Sequence, residues 1–150
     1  MIGIIGQGFV GNAIYQKFKN YFDVLTYDLD SKLCNSTLEN LCEKCETIFV
    51  CLPTPMNENG SCCTDIVEDC LKDIEILTSF EQKQKTIVLK STVSPGTTEK
   101  WNDRFHSLNV IFSPEFLTER SANFDFISQT RIVLGGKTEH VKFVKKLHFP

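Results

Sequence analysis

Met1-Ile2-Gly3-Ile4-Ile5-Gly6-Gln7-Gly8-Phe9-Val10-Gly11 opens the chain, and its reading decides the fold. Ile2–Ile5 is a short, uniformly apolar run, as expected of a strand buried on both faces. Three glycines at G-x-G-x-x-G spacing follow at once, and from about Val10 to Phe18 the apolar residues recur at helical spacing. Strand, glycine turn and helix in that order form the context in which this spacing carries meaning. Gly6 permits the sharp turn, Gly8 lets backbone approach a pyrophosphate, and Gly11 lets helix and strand pack closely, with phosphate facing the helix N-terminus. The whole segment, Gln7, Phe9 and Val10 included, is therefore a candidate cofactor-binding loop. Asp28 closes the next apolar stretch, Phe22–Tyr27. Its carboxylate can accept hydrogen bonds from ribose hydroxyls and would repel a 2′-phosphate. Lys32 softens that preference without reversing it, so NAD is expected rather than NADP. The plain alternative is a glycine turn followed by an exposed Asp.

Outward from this unit, short apolar runs alternate with amphipathic stretches. Further strands are expected at Thr47–Leu52, Thr86–Leu89, Val110–Phe112 and Ile132–Leu134. Ser36 and Glu39 form a candidate capping box for a short helix through Leu38 and Leu41. A second helix after Asp65 is expected to bury Ile66, Cys70, Ile74 and Leu77. Two more are expected near Thr97–Phe105 and Glu139–Leu147, and Leu147-His148-Phe149-Pro150 reads as a helix end. Continuous apolar strands alternating with one-sided helices imply an α/β, doubly wound, mostly parallel sheet of Rossmann type. Only about twenty residues separate Asp28 from the strand at Thr47, room for one crossover helix and no extra strand. The sheet edge after the second strand should therefore be shortened.

The 150 residues carry 16 Lys+Arg against 19 Asp+Glu, a net charge of −3, with 41% hydrophobic and 23% charged residues. Such a composition fits one soluble globular domain. With no Lys/Arg block, nucleic acid and anionic membranes are not expected partners. No apolar run approaches the ~20 residues of a bilayer span, and the opening apolar stretch is too short for a secretory signal. A cytoplasmic protein is expected. Its seven cysteines are Cys34, Cys42, Cys45, Cys51, Cys62, Cys63 and Cys70. An odd count without an export signal reads as free thiols. Cys42-x-x-Cys45 with Cys62-Cys63 could be drawn as a zinc site, but finger-like spacing and a nearby His are missing, so no metal is expected.

Three further segments carry candidate chemistry. Val50-Cys51-Leu52-Pro53-Thr54-Pro55 ends a strand and leaves Thr54 at the carboxyl edge of the sheet, where its hydroxyl could touch a cofactor. Lys90-Ser91-Thr92-Val93-Ser94-Pro95-Gly96-Thr97-Thr98 again lies between strand and helix, lining the same crevice. Ser113-Pro114-Glu115-Phe116-Leu117-Thr118-Glu119-Arg120 brings two carboxylates four apart, which share a face if the loop turns helically. Close carboxylates in a crevice can divide acid, base and binding roles. Read singly, each of the three is also a plain strand terminator, a polar loop, or a solvated loop with an Arg120 ion pair.

Taken in order, these segments resemble the NAD-binding domain of the UDP-glucose/GDP-mannose dehydrogenase family, nearest to its UDP-glucose-oxidising branch. The glycine fingerprint, the strand-end Pro53-Thr54-Pro55, the Ser91-Thr92-Val93 stretch with Pro95-Gly96-Thr97, and Pro114-Glu115-Phe116-Leu117 with Glu119 carry the likeness. Arg131-Ile132-Val133-Leu134-Gly135-Gly136 continues it. The resemblance implies oxidation of the C6 alcohol of a nucleotide sugar to a carboxylate, in two hydride transfers to NAD. It implies that Gly6 to Gly11 and Asp28 hold the adenosine diphosphate half, and that Thr54, Ser91, Thr92 and Val93 line the path to the nicotinamide. Glu119 would border cofactor and sugar, and Glu115 would act with Thr92 in thioester hydrolysis. Arg120 stands where the family has Gly, and Ser94 where it has Pro. The family's nucleophilic Cys, catalytic Lys, central helix and UDP-binding domain have no counterpart in residues 1–150. Cys51, read as lying inside a strand, is no substitute. The expectation is one NAD-binding domain, inactive alone, that meets UDP-glucose or a related nucleotide sugar with a separate catalytic half or in a homo-oligomer. A stand-alone NAD-binding module without turnover is the alternative. The Ser-Thr-Val and Pro-Glu-Phe-Leu segments count against a hydroxyacid dehydrogenase or an S-adenosylmethionine methyltransferase.

Overall fold

The computed structural model describes residues 1–80, 84–128 and 131–148. Its strands are β1 (Ile2–Ile5), β2 (Val24–Tyr27), β3 (Thr47–Val50), β4 (Lys85–Leu89) and β5 (Leu108–Phe112). Its helices are α1 (Phe9–Phe18), α2 (Leu38–Lys44), α3 (Asp65–Thr78), α4 (Thr97–Arg104), α5 (Ala122–Ser128) and α6 (Thr138–His148). Every strand pairs in parallel, in the order β2-β1-β3-β4-β5. Ile2 stands opposite Val24 on one side and Thr47 on the other. All residues of β1, β3 and β4 are buried, which is why these strands read as largely apolar runs, Ile48–Val50 and Ile87–Leu89 after their polar starts, rather than as alternation.

Successive strand residues serve two cores. Ile2, Ile4, Phe49, Val88 and Ile111 pack with Ala13, Ile14 and Phe18 of α1, Ala122 and Phe126 of α5, and Val144 of α6. Ile5, Ile48, Val50, Ile87, Leu89 and Val110 pack with Leu41, Val67, Leu71, Ile74 and Trp101 of α2, α3 and α4. Phe18 meets Phe22, Phe49 and Phe126 edge-on at centroid distances of 5.8, 5.4 and 6.2 Å. Each such pair adds about 0.5–1.5 kcal/mol to the burial of its area. Helices on both faces make the sheet doubly wound. From β1 the chain goes first to β2 on one side and then crosses to β3 on the other, so a crevice opens over the carboxyl ends of β1 and β3. Between Tyr27 and Thr47 lie only a 3-10 turn, Ser31–Leu33, and α2, so β2 is the sheet edge and the edge is shortened as expected.

Several local expectations are corrected. Ile132–Leu134 forms no strand; a single antiparallel bridge joins Gly135 to Phe112. Phe22 is not in β2, because its N–H is spent on Phe18 O at 2.9 Å in the turn that ends α1. The cap of α2 is Thr37, whose hydroxyl accepts from Asn40 N at 3.3 Å; Ser36 instead accepts from the Asn40 side chain at 2.7 Å. α3 buries Val67, Leu71, Ile74 and Thr78, while Ile66 and Leu77 are exposed. Two apolar stripes overlap on this helix, and packing chose the neighbouring one. α5 and the 3-10 turn Glu119–Ser121 were not anticipated. The Phe149-Pro150 end lies outside the described residues.

Candidate cofactor cleft

The site begins with the turn after β1. Gly6 has φ +87°, and a Cβ there would lie 2.5 Å from the Cys51 carbonyl oxygen. Gly6 N–H donates to Tyr27 O at 2.9 Å, so the turn hangs from the end of β2. A Cβ on Gly11 would stand 1.8 Å from Gly6 O; α1 can lie on the turn only because that atom is missing. At Gly8, by contrast, a Cβ would meet nothing within 4 Å. Gly8 is also the N-cap of α1, without a side-chain cap, and no acidic residue occupies the first turn. The start of α1, Gly8, Phe9 and Val10, thus lines an open cleft at the positive end of the helix, the arrangement that suits phosphate.

The Asp28 carboxylate is fixed beside this turn. Gln7 N donates to Oδ2 at 2.6 Å and Asp30 N to Oδ1 at 2.9 Å. Each oxygen keeps a further lone pair for a hydroxyl donor. The cleft that opens here holds about 920 Å³. Tyr27, Asp28 and Leu29 enter it from β2, Leu38 from α2, and Ile66, Asp69, Cys70 and Asp73 from α3. Cys51, Leu52, Pro53 and Thr54 enter from beyond β3, and Lys90, Ser91, Thr92, Glu115 and Leu117 from beyond β4 and β5. Most of the wall is apolar, with few polar groups converging on it, as small-molecule sites require.

The far end is built around one buried ion pair. Lys90 Nζ lies 2.7 Å from Glu115 Oε2, with the two side chains 2% and 5% exposed. Lys90 also donates to Ser113 Oγ at 3.2 Å. The other Glu115 oxygen accepts from Phe116 N at 3.3 Å, whereas Oε2 has the lysine charge and no aligned hydrogen bond. Burial pushes the Cys51 thiol up to about 12; Lys90 pulls against this and Glu115 adds to it. Burial also holds Lys17 below the usual lysine range, opposed by the Glu115 charge. The Ser91 hydroxyl joins two strand ends, donating to Leu52 O at 2.6 Å and accepting from Leu52 N at 3.0 Å.

The cleft thus brings together Gly6, Gly8, Phe9, Val10, Asp28, Thr54, Ser91, Thr92 and Glu115. Gln7 lies behind it, spent on Asp28, and Gly11 serves packing. Lys32 is exposed beside the site, its backbone N bonded to Asp30 Oδ1 at 3.0 Å. Val93 lines a second cavity of about 580 Å³ with Gly96, Phe112 and Lys137. Glu115 and Glu119 do not share a face: residues 113–118 form no helix, Glu115 is drawn inward by Lys90, and Glu119 is exposed next to exposed Arg120. Cys51 is not inside a strand; it follows β3, its backbone N–H donates to Ile5 O at 2.8 Å, and it lines the cleft. Sequence reasoning missed Lys90 as a site residue, although a lysine directly after Thr86-Ile87-Val88-Leu89 was a usable signal. Among the described residues, no group of three His, Cys, Asp or Glu is disposed to hold a metal. No described helix is long and apolar enough to cross a membrane.

The UDP-glucose 6-dehydrogenase of Campylobacter jejuni is 29% identical over 168 aligned residues, covering 91% of this chain and 42% of that protein. Two solved structures share the fold. One is a ternary complex of GDP-mannose dehydrogenase from Pseudomonas aeruginosa (TM-score 0.85, 19% identity, 98% of this chain and 43% of that one). The other is a UDP-glucose dehydrogenase from Pyrobaculum islandicum (TM-score 0.85, 22% identity, 99% and 43%). The chain therefore spans less than half the length of these proteins. Residues 25–149 match the NAD-binding domain of the UDP-glucose/GDP-mannose dehydrogenase family, and with the glycine turn and anchored Asp28 at its head the chain belongs to that family, with NAD as its cofactor.

Proposed function

We propose that residues 1–150 hold NAD across the carboxyl ends of β1 and β3 and present it to a nucleotide sugar, UDP-glucose or a close relative. The observation that carries this reading is the uncapped start of α1 facing open space at Gly8, with an anchored carboxylate, Asp28, held by the adjoining Gln7 N–H. The residues fit the cofactor. First-turn amides of α1 would take the pyrophosphate, Asp28 the adenosine ribose hydroxyls, and the apolar wall of Leu29, Leu38, Ile66 and Cys70 the adenine. Asp28 would repel a 2′-phosphate, and Lys32 stands outside the wall. Thr54 and Thr92 would border the nicotinamide end. When bound, NAD supplies the hydride acceptor for the alcohol carbon of the sugar. Thr92 and Glu115 would serve the proton and water steps, and exposed Glu119 the sugar side.

Residues 1–150 should not complete this reaction by themselves. Burial keeps the Cys51 thiol, which feels the charges of the Lys90–Glu115 pair, protonated and therefore a poor nucleophile. They would act with a separate catalytic half or in a homo-oligomer, in a reducing cytoplasm where seven thiols stay free. Calorimetric titration of the chain with NAD, NADP and UDP-glucose tests the reading. NAD should bind, NADP should bind less tightly, and no NADH should form with UDP-glucose. Asp28→Ala should lose roughly 1.5–3 kcal/mol of NAD binding, the worth of hydrogen bonds to a charged group. Unchanged affinity in that variant removes Asp28 from the site, and sugar oxidation by the chain alone overturns the assignment of the chemistry.

A further inference from the structure

The shortened sheet leaves β2 as an edge, and an edge strand offers alternate backbone groups with no ladder partner. In β2 and just beyond it, those outward groups belong to Val24, Thr26 and Asp28, and two consecutive side chains meet them. Asn35 Oδ1 accepts from Thr26 N at 2.7 Å and Asn35 Nδ2 donates to Val24 O at 3.0 Å. Backbone N–H groups of Asn35 and Ser36 both donate to Thr26 O at 3.2 Å. The Cys34 thiol takes both polar groups of Asp28: it accepts from Asp28 N at 3.0 Å and donates to Asp28 O at 3.1 Å. One face of the strand end is held by the sheet and the other by this pair. The carboxylate that leaves Asp28 is then fixed by Gln7 N and Asp30 N.

We infer that Cys34 and Asn35 stand in for the absent edge strand and act as positioning residues that aim Asp28 at the ribose of NAD, a role that presupposes the cofactor reading above. A thiol suits the place because one atom both accepts and donates, so a single residue closes both backbone groups of Asp28. Neither residue lines the cleft; Cys34 holds the backbone of Asp28 directly, with Asp30 O a further 3.5 Å neighbour of the thiol, and Asn35 holds the strand that ends at Asp28.

Calorimetry on the 150-residue chain separates this role from general stabilisation. Cys34→Val keeps the size and removes donor and acceptor; it should weaken NAD binding roughly five- to tenfold, as loss of one or two hydrogen bonds dictates. Cys34→Ser keeps both functions and should stay within about twofold of the parent chain. In an Asp28→Asn background, Cys34→Val should cause no further loss, because the effect runs through the carboxylate. Asn35→Leu, which cuts the bonds to Val24 and Thr26, is the second variant and should show the same dependence on Asp28. NAD binding by Cys34→Val and Asn35→Leu equal to the parent, or an equal loss with and without the Asp28 carboxylate, overturns the inference. A parent chain that takes up no NAD overturns the cofactor reading itself.

Discussion

Gly8, the N-cap of α1, and Gly11, in its first turn, answer to opposite constraints, which substituting each by alanine should separate. At Gly11 the new methyl would stand 1.8 Å from Gly6 O, about 1.6 Å inside ordinary contact, and the obstacle is backbone rather than a movable side chain. Alanine returns about 1 kcal/mol of helix propensity. Forcing a methyl into a closed contact costs about 1–3 kcal/mol and occasionally more, and this overlap belongs at the upper end. A net loss of about 2 kcal/mol follows, leaving a domain that still folds but melts roughly 5–8 °C lower. At Gly8 the backbone has φ −64° and ψ −166°, which any residue adopts, and the methyl meets nothing within 4 Å. Gly8→Ala should therefore fold almost as well as the parent, losing at most about 1 kcal/mol from the poorer N-cap.

Binding should reverse the ranking of harm relative to stability. A methyl at Gly8 fills the space through which the pyrophosphate reaches the first-turn amides. Charge-assisted hydrogen bonds are worth about 1.5–3 kcal/mol each. Displacing one or two of them should weaken NAD binding by about a hundredfold, or ~2.7 kcal/mol. Melting curves and calorimetric titration of both variants form the assay. Parent-like NAD affinity in Gly8→Ala would show that nothing approaches this turn. A loss of stability as large as that of Gly11→Ala would show that Gly8 is packed, and either result refutes the reasoning.

Burial raises Cys51 and Cys70 from the ordinary 9.0 to about 12. The folded chain therefore keeps two protons that the unfolded chain releases above pH 9, and stability should fall between about pH 9 and 12 by ~1.4 kcal/mol per pH unit for each thiol. Urea melts at several alkaline pH values, repeated on Cys51→Ala with Cys70→Ala, should show the slope and its loss; an unchanged slope in the double variant disproves the assignment. Lys90→Met leaves Glu115 buried without its cation and should cost about 3–5 kcal/mol, whereas adding Glu115→Leu should recover most of it; equal melts for the single and double variants would contradict the pairing. Thr37→Ala should cost α2 about 1 kcal/mol and Ser36→Ala less than half of that, as read from the same melts.

How much of this was legible in the sequence depends on the range of the cause. The β1–α1 unit is dictated locally: an apolar run, glycines at fixed offsets and a 3.6-residue period agree with one another, and the structure has all three. The shortened edge was also legible, since chain length alone leaves no room for another strand before Thr47. The stripe that α3 buries was not, because Ile66, Val67, Cys70, Leu71 and Ile74 offer two adjoining apolar faces and only the sheet beneath decides between them. Nor was the burial of Glu115. Spacing suggested that it would pair with Glu119 on a helical face, but a lysine at the end of β4, twenty-five positions earlier, draws it inward. The capping position at Thr37 rather than Ser36 is a one-residue shift of the kind that local patterns leave open.

The stripe that α3 leaves uncovered also explains why the cleft wall is apolar. α3 gives the cleft both kinds of side chain, Asp69 and Asp73 beside Ile66 and Cys70. Val67 and Leu71 meet the sheet, Cys70 packs partly against the same core while still lining the cleft, and exposed Ile66 faces the opening together with Leu29 and Leu38. Exposed Ile66 and Leu29 leave apolar surface in water, at about 25 cal/mol for each Å². A planar base laid against them would recover that energy without needing a polar partner. Polar recognition is then left to the residues at the strand ends, where the backbone itself sets direction: amides at the start of α1, Asp28 after β2, Lys90 after β4. The parallel sheet places these ends side by side because every strand runs the same way. Affinity for the base and aim at the phosphates and ribose therefore come from different elements, and either can be altered without unmaking the other.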